Sequence, residues 1–200
     1  MQLVIDSATA ACTAALIDGE HVLAERQEVI GRGHAERLLP LVEELLEGRR
    51  PSSILVGCGP GSFTGLRVGL AAAHGLAIGW GVPLSGFSTL ALIAAGADVE
   101  GEVAVALHGG HGQLFVQTYG RGPMHPLDPL RSLLPEDAAA AITSSVVIGS
   151  GAETLVGARG HGEWRDALPR AADARLLPPE LRMLDPRPIY GRAADAKPMQ

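Results

Sequence analysis

Residues 53–69 read SILVGCGPGSFTGLRVG. The apolar run 53–57 predicts a short strand, the glycine-rich run 57–65 a tight turn, and 66–80 a helix. A strand, a glycine turn and a helix in succession can aim backbone N–H groups at an anion. A Walker phosphate loop would also need a lysine in that turn, and the chain's one lysine is Lys197. A full G-x-G-x-x-G is missing too, because Gly57 and Gly59 lead to Ser62. Two readings stand: a turn joining a buried strand to a helix, with Ser62 or Thr64 as its cap, or an anion cradle.

The helix that follows is built from small residues. Gly69, Ala73 and Ala77 repeat at i, i+4 and i+8, and Ala72, Gly75 and Gly79 add to them. Each glycine costs up to about 1 kcal/mol of helix propensity relative to alanine, so another backbone must come close. That backbone belongs either to the protein's own sheet or to a partner subunit. Downstream, 82–87 predicts a strand, and Ser88 is a good N-cap for a helix to residue 95.

Upstream, residues 3–5, 12–17 and 21–29 predict a three-stranded meander with its hairpin turn at Asp18-Gly19. A helix over 35–47 carries Leu38, Leu41, Val42, Leu45 and Leu46 as one apolar stripe, with Pro40 in or near its first turn. Asp6, Ser7 and Thr9, where the first strand ends, resemble the phosphate-contacting hairpin of actin-like ATPases. A turn in which Asp6 bonds its own backbone is the simpler alternative.

The second half starts again with strands, at 102–107 and 113–119, around the loop His108-Gly109-Gly110-His111-Gly112. A short alanine-rich helix over 135–142 and a strand over 145–149 follow, with one or two short helices expected beyond 150. Both halves open on a hairpin and continue with α/β units, which predicts two similar subdomains, 1–97 and 98–200. The second acidic loop of an actin-like phosphotransferase would fall at Leu107-His108-Gly109-Gly110, where there is no acid. His108 and His111 lack nearby Asp, Glu or Cys to complete a metal site, so they read as a polar hairpin tip. His34 has Arg37 and Leu38 at the next ligand positions, and no metal site is expected there.

With 46% hydrophobic and 19% charged residues, the 200-residue chain can bury a sizeable core. Its net charge of −6 lacks the clustered cations that nucleic-acid binding needs. Cys12 and Cys58 are far apart and form no CxxC. Residues 1–6 lack a secretory signal, and no window is a good membrane span, so a cytoplasmic protein is expected.

Three stretches occur in order and spacing: IDSAT at 5–9, HAERLLP at 34–40 and GPGSFTGLRVG at 59–69. Together they closely resemble the bacterial TsaB (YeaZ) family, strongly over 1–95 and thinly over 96–187. The tail, PIYGR at 188–192 and DAKP at 195–198, is similar to that family's C-terminus. The resemblance implies an actin-like (ASKHA, ribonuclease H-like) α/β fold. It implies a non-catalytic scaffold or activating subunit in the formation of threonylcarbamoyladenosine on tRNA. The partners it implies are the TsaD transferase and the TsaE ATPase, with a homodimer when the chain is alone and tRNA met only through the complex. ATP is then used by the complex, and no cofactor is expected on this chain.

By the same resemblance the partner interface falls on the helices 35–47 and 66–80. Its candidate residues are His34, Leu38, Leu41 and Leu45 on the first, and Arg67, Gly69, Leu70, Ala73 and Ala77 on the second. The candidate nucleotide- or anion-binding residues are Asp6, Ser7, Gly61, Ser62 and Thr64. The chain departs from the family in a short loop before Ser53 and in His108-Gly109-Gly110-His111, which replaces a turn containing Asp and Arg. The alternatives are a stand-alone nucleotide-using, kinase-like enzyme and a glycoprotease-like peptidase. No paired metal histidines and no Ser-His-Asp arrangement support the latter.

Overall fold

A computed structural model describes residues 1–191. The chain opens with β1 (Gln2–Asp6), β2 (Ala11–Asp18) and β3 (His21–Val29), an antiparallel meander. The hairpin turn is Gly19-Glu20, one residue later than expected, with Gly19 at φ 58. Then come α1 (His34–Leu46), β4 (Ser53–Gly57), α2 (Phe63–Trp80), β5 (Leu84–Phe87) and α3 (Thr89–Gly96). β4 lies parallel to β1 and β5 parallel to β4, so the first sheet runs β3-β2-β1-β4-β5.

Side chains alternate across a strand, and the two faces of this sheet bury different partners. Leu3, Ile5, Leu16, Ile54 and Val56 pack under α1 and α2. Val4, Ala15, Ile17 and Leu55 face α3 and the second half of the chain. Pro40 is the seventh residue of α1 and stands in its second turn, not its first, because the helix already begins at His34 after Gly33 at φ 90. α2 starts at Phe63, three residues before the expected start, where Ser62 Oγ accepts the Gly65 N–H at 3.3 Å. Ser88 caps α3 as expected, its Oγ accepting the Ala91 N–H at 3.4 Å.

The second sheet is built from β6 (Val103–His108), β7 (Leu114–Gly120), β8 (His125–Pro126), β9 (Arg131–Leu133), β10 (Val146–Ile148) and β11 (Glu163–Arg165). Its order is β11-β10-β6-β7-β8, with β9 also on β7. α4 (Pro135–Ala141) and α5 (Ala152–Arg159) pack on one face, around Ala104, Val116 and Val147. As in the first sheet, antiparallel strands sit beside a parallel set carrying helices.

Within the expected unit 98–200 lies a segment that packs on the first sheet. Residues 171–189 leave the second sheet and strap the first. The Ala171 N–H donates to Thr13 Oγ1 at 3.0 Å, Gly86 and Leu184 exchange backbone bonds, and the Ile189 N–H reaches the Cys58 carbonyl at 2.7 Å. Ala171, Ala172, Ala174 and Leu177 are buried beside Leu55. Removing the Thr13 hydroxyl would leave the Ala171 N–H buried without its acceptor. Thr13→Val should therefore destabilise the fold by about 1–3 kcal/mol, read as a lower urea midpoint at unchanged slope.

Candidate functional site

The end of β1 and the turn after β4 meet, and their contacts decide what Asp6 can do. Asp6 is fully buried. Its carboxylate accepts the Ala8 N–H at 2.9 Å and the Thr89 hydroxyl at 2.7 Å. Burial pushes its pKa up to about 6, against the lowering effect of those two bonds. Ser7 is buried as well, and its hydroxyl donates to the Gly65 carbonyl at 2.8 Å.

The glycines of 59–69 follow from this approach of two backbones. A Cβ on Gly61 would collide with the Ala8 carbonyl oxygen, and one on Gly69 with Ser7 Oγ. The turn is clamped onto the hairpin. The candidate anion-binding set is thereby divided. Asp6 and Ser7 are sealed inside as braces, Gly61 and Ser62 line an open cleft, and Thr64 is exposed on α2 outside that lining.

The cleft holds about 950 Å³. One wall comes from Ala8 to Ala10 and the start of α2, the other from Leu107 to Gly110, Phe115 and Ser150. Ile189, Tyr190 and Gly191 of the strap complete it. At the start of α2 the Arg67 guanidinium lies 3.6 Å from the Phe63 ring centroid and donates to the Tyr190 hydroxyl at 3.3 Å. His108 lines the cleft, its backbone N–H held by Ser150 Oγ at 3.3 Å, and His111 turns the hairpin at φ 61. The sequence offered no signal for Ser150 or Phe115, and Tyr190 entered only as part of the family-like tail 188–192; tertiary structure brings the three together at the cleft.

The candidate interface residues need correction. Leu38, Leu41, Leu45, Gly69, Leu70, Ala73 and Ala77 are buried in the chain's own core, and His34 is buried with them. They hold α1 and α2 to the first sheet and are covered by this chain itself. Of the nine, Arg67 is exposed. It heads a different stripe of α2, Arg67, Ala71, Gly75 and Ile78, all exposed at i, i+4, i+8 and i+11. No atom lies within 4 Å of a Cβ built on Gly75 or Gly79.

A family model described as "TsaD: tRNA N6-adenosine threonylcarbamoyltransferase" matches residues 21–124. The TsaB protein of Escherichia coli, "tRNA threonylcarbamoyladenosine biosynthesis protein TsaB", is 43% identical over 48% of this chain and 43% of its own length. YeaZ from Pseudomonas aeruginosa superposes with a TM-score of 0.75 at 29% identity, over 88% of this chain and 89% of that one. The chain belongs to the TsaB (YeaZ) family. Its membership fixes the reading of the fold as actin-like α/β, with the GPGSFTGLRVG block as the turn that locks onto the first hairpin. An uncharacterized protein of Mycobacterium bovis is 32% identical over 98% of this chain and 94% of its own. The match to the Escherichia coli TsaB spans less than half of that protein's length. No helix among the described residues is long and apolar enough to cross a membrane. The TsaB-like tail residues from 192 onward, with Lys197, lie outside the described residues.

Proposed function

We propose that this TsaB-family chain is a non-catalytic subunit for threonylcarbamoyladenosine formation on tRNA, acting in the cytoplasm with a TsaD-like transferase and a TsaE-like ATPase. One observation carries the reading. The acid that would face phosphate in an actin-like ATPase, Asp6, is fully buried and used up by Ala8 and Thr89. A carboxylate closed off in this way cannot orient a metal or a water on a nucleotide. The loop facing it across the cleft, His108 to Gly110, supplies no second acid.

What the chain then offers its partners is surface. Between Arg67 and Ile78 the outward stripe of α2 carries the small Ala71 and Gly75, with exposed His74 beside them, and Ile78 is 81% exposed. Small residues there let another helix approach closely, and Ile78 supplies the apolar anchor that interface hot spots need. The same stripe serves a TsaD-like partner or, in its absence, a second copy of this chain, so the two compete. Cations for tRNA come from the partner, since this chain carries a net charge of −6.

Reconstitution tests the proposal. Threonylcarbamoyladenosine, detected by mass spectrometry of digested tRNA, should form with the chain, its TsaD-like and TsaE-like partners, ATP and tRNA together. Omitting the chain should abolish product. Multiple turnovers of ATP by the chain alone would overturn the reading. Submicromolar tRNA binding by the isolated chain at physiological salt would overturn the assignment of tRNA contact to the complex.

A further inference from the structure

The first sheet ends on β3, which is nine residues long and holds no proline, glycine or lysine. Among the described residues no backbone bond joins it to anything but β2. Such an edge offers a row of N–H and C=O groups to another strand. One half of it is blunted. The register with β2 slips at Leu23, which has no partner between Val22 and Ala24, and a bulge of this kind turns an edge away. From Ala24 to Val29 the pairing with Leu16 to Ala11 is regular. Arg26, Gln27 and Val29 are exposed there, Val29 by 66%.

The charges of this regular half decide which strand it fits. Residues opposite one another in an antiparallel pair share a face, so like charges repel there and opposite charges attract. Bonded and non-bonded positions alternate along such a pair. Two copies related by a two-fold axis must therefore place one residue opposite itself. Centres at Glu25, Arg26 or Glu28 would each set a charge against its own copy. A centre at Gln27 does not, and its amide, with both donors and an acceptor, is complementary to itself. That register also sets Arg26 opposite Glu28 of the second copy, twice over. Both have capacity to spare. Arg26 gives one of its N–H groups to the Glu25 carbonyl at 2.9 Å and keeps the others. Glu28 shares Arg37 with Glu44, one cation between two carboxylates.

We propose that β3 is a self-association edge. Two copies pair antiparallel over residues 25–29, with Gln27 opposite itself, and two five-stranded sheets become one. Five residues a side fall short of the roughly 20–30 of a standard interface, so the contact is weak and forms where copies are concentrated. α2 packs over β1 and β4, beyond β2 from this edge. Its outward stripe stays free, and the pairing does not depend on what binds there.

Sedimentation equilibrium tests the pairing in the Gly75→Arg chain, where the stripe of α2 is blocked. Between about 10 μM and 1 mM this chain should pass from monomer to dimer. Adding Arg26→Glu should weaken dimerisation at least tenfold, because two carboxylates then face each other across the pair. Adding Glu28→Arg instead should do the same with two guanidinium groups. An equimolar mixture of these two variants should dimerise again, since each charge then meets its opposite. Circular dichroism should be unchanged throughout. A Gly75→Arg chain that is still monomeric at about 1 mM overturns the proposal. So does dimerisation unchanged by Arg26→Glu, or a mixture that stays monomeric.

Discussion

Ala73→Arg is expected to abolish the folded state, read as loss of helical ellipticity and of a cooperative thermal transition. Ala73 has no exposed surface and packs with Leu3, Ile54 and Val56 under the first sheet. An arginine there buries a charge with no partner, at about 3–5 kcal/mol, and overpacks the seam by about 1–3 kcal/mol more. A domain with a total stability of about 5–15 kcal/mol has little margin for that. Gly75→Arg, two residues along the same helix, should behave oppositely. Its Cβ meets open space. Replacing a helical glycine gains about 0.8–1 kcal/mol of propensity, so the melting midpoint should hold or rise. A TsaD-like partner or a second copy should then be lost from a folded chain, by light scattering and calorimetry. A folded Ala73→Arg variant with an unchanged midpoint would show that the helix does not pack as described.

The contrast between these positions explains what could be read from the sequence and what could not. The stripe Leu38, Leu41, Val42, Leu45 and Leu46 announces the buried face of α1, because large apolar residues stand against glutamates on the same helix. α2 has no such contrast. Gly69, Ala73 and Ala77 make a small-residue stripe, and so do Ala71, Gly75 and Gly79. Only the approach of Ser7, across 62 residues of chain, identifies the first as the inward face. The meander and the cap at Ser88 were legible because alternation and capping are local, while the cap of α2 stayed open between Ser62 and Thr64 until the structure gave Ser62. β8, β9 and β11 are two or three residues long, too short for any period to register, and exist through pairing with β7 or β10. The strap was illegible for a similar reason. Its Pro- and Arg-rich sequence has no periodicity, and it is held by Thr13, Cys58 and Gly86, distant in the chain. Asp6 could be seen at the end of a strand. That Thr89 seals it could not, since the two are 83 residues apart.

That seal should give the protein an unusual pH profile. Burial raises the Asp6 carboxyl from 3.8 to about 6 in the folded chain. Between those values the folded state holds a proton that the unfolded state has released. The contribution of Asp6 is therefore fully present below about pH 4 and is lost as pH rises through 6. The shift of about two units corresponds to about 3 kcal/mol at neutral pH. Asp173, also raised by burial, acts in the same direction. Glu28 and Glu44, lowered by the Arg37 bonds, act oppositely and only at lower pH. Urea unfolding at intervals from pH 3 to 8 should show stability falling between about pH 4 and 6 and levelling off above. Asp6→Asn, which cannot ionise, should remove the Asp6 share of that slope and leave the Asp173 share. Thr89→Val should steepen it, because the hydroxyl bonds the charged carboxylate and its loss raises the pKa further. Its penalty should be larger at pH 8 than at pH 4. Slopes that match in wild type and Asp6→Asn would mean that the carboxylate is hydrated and open to ligands. In that case the argument that Asp6 is unavailable for phosphate chemistry fails with it.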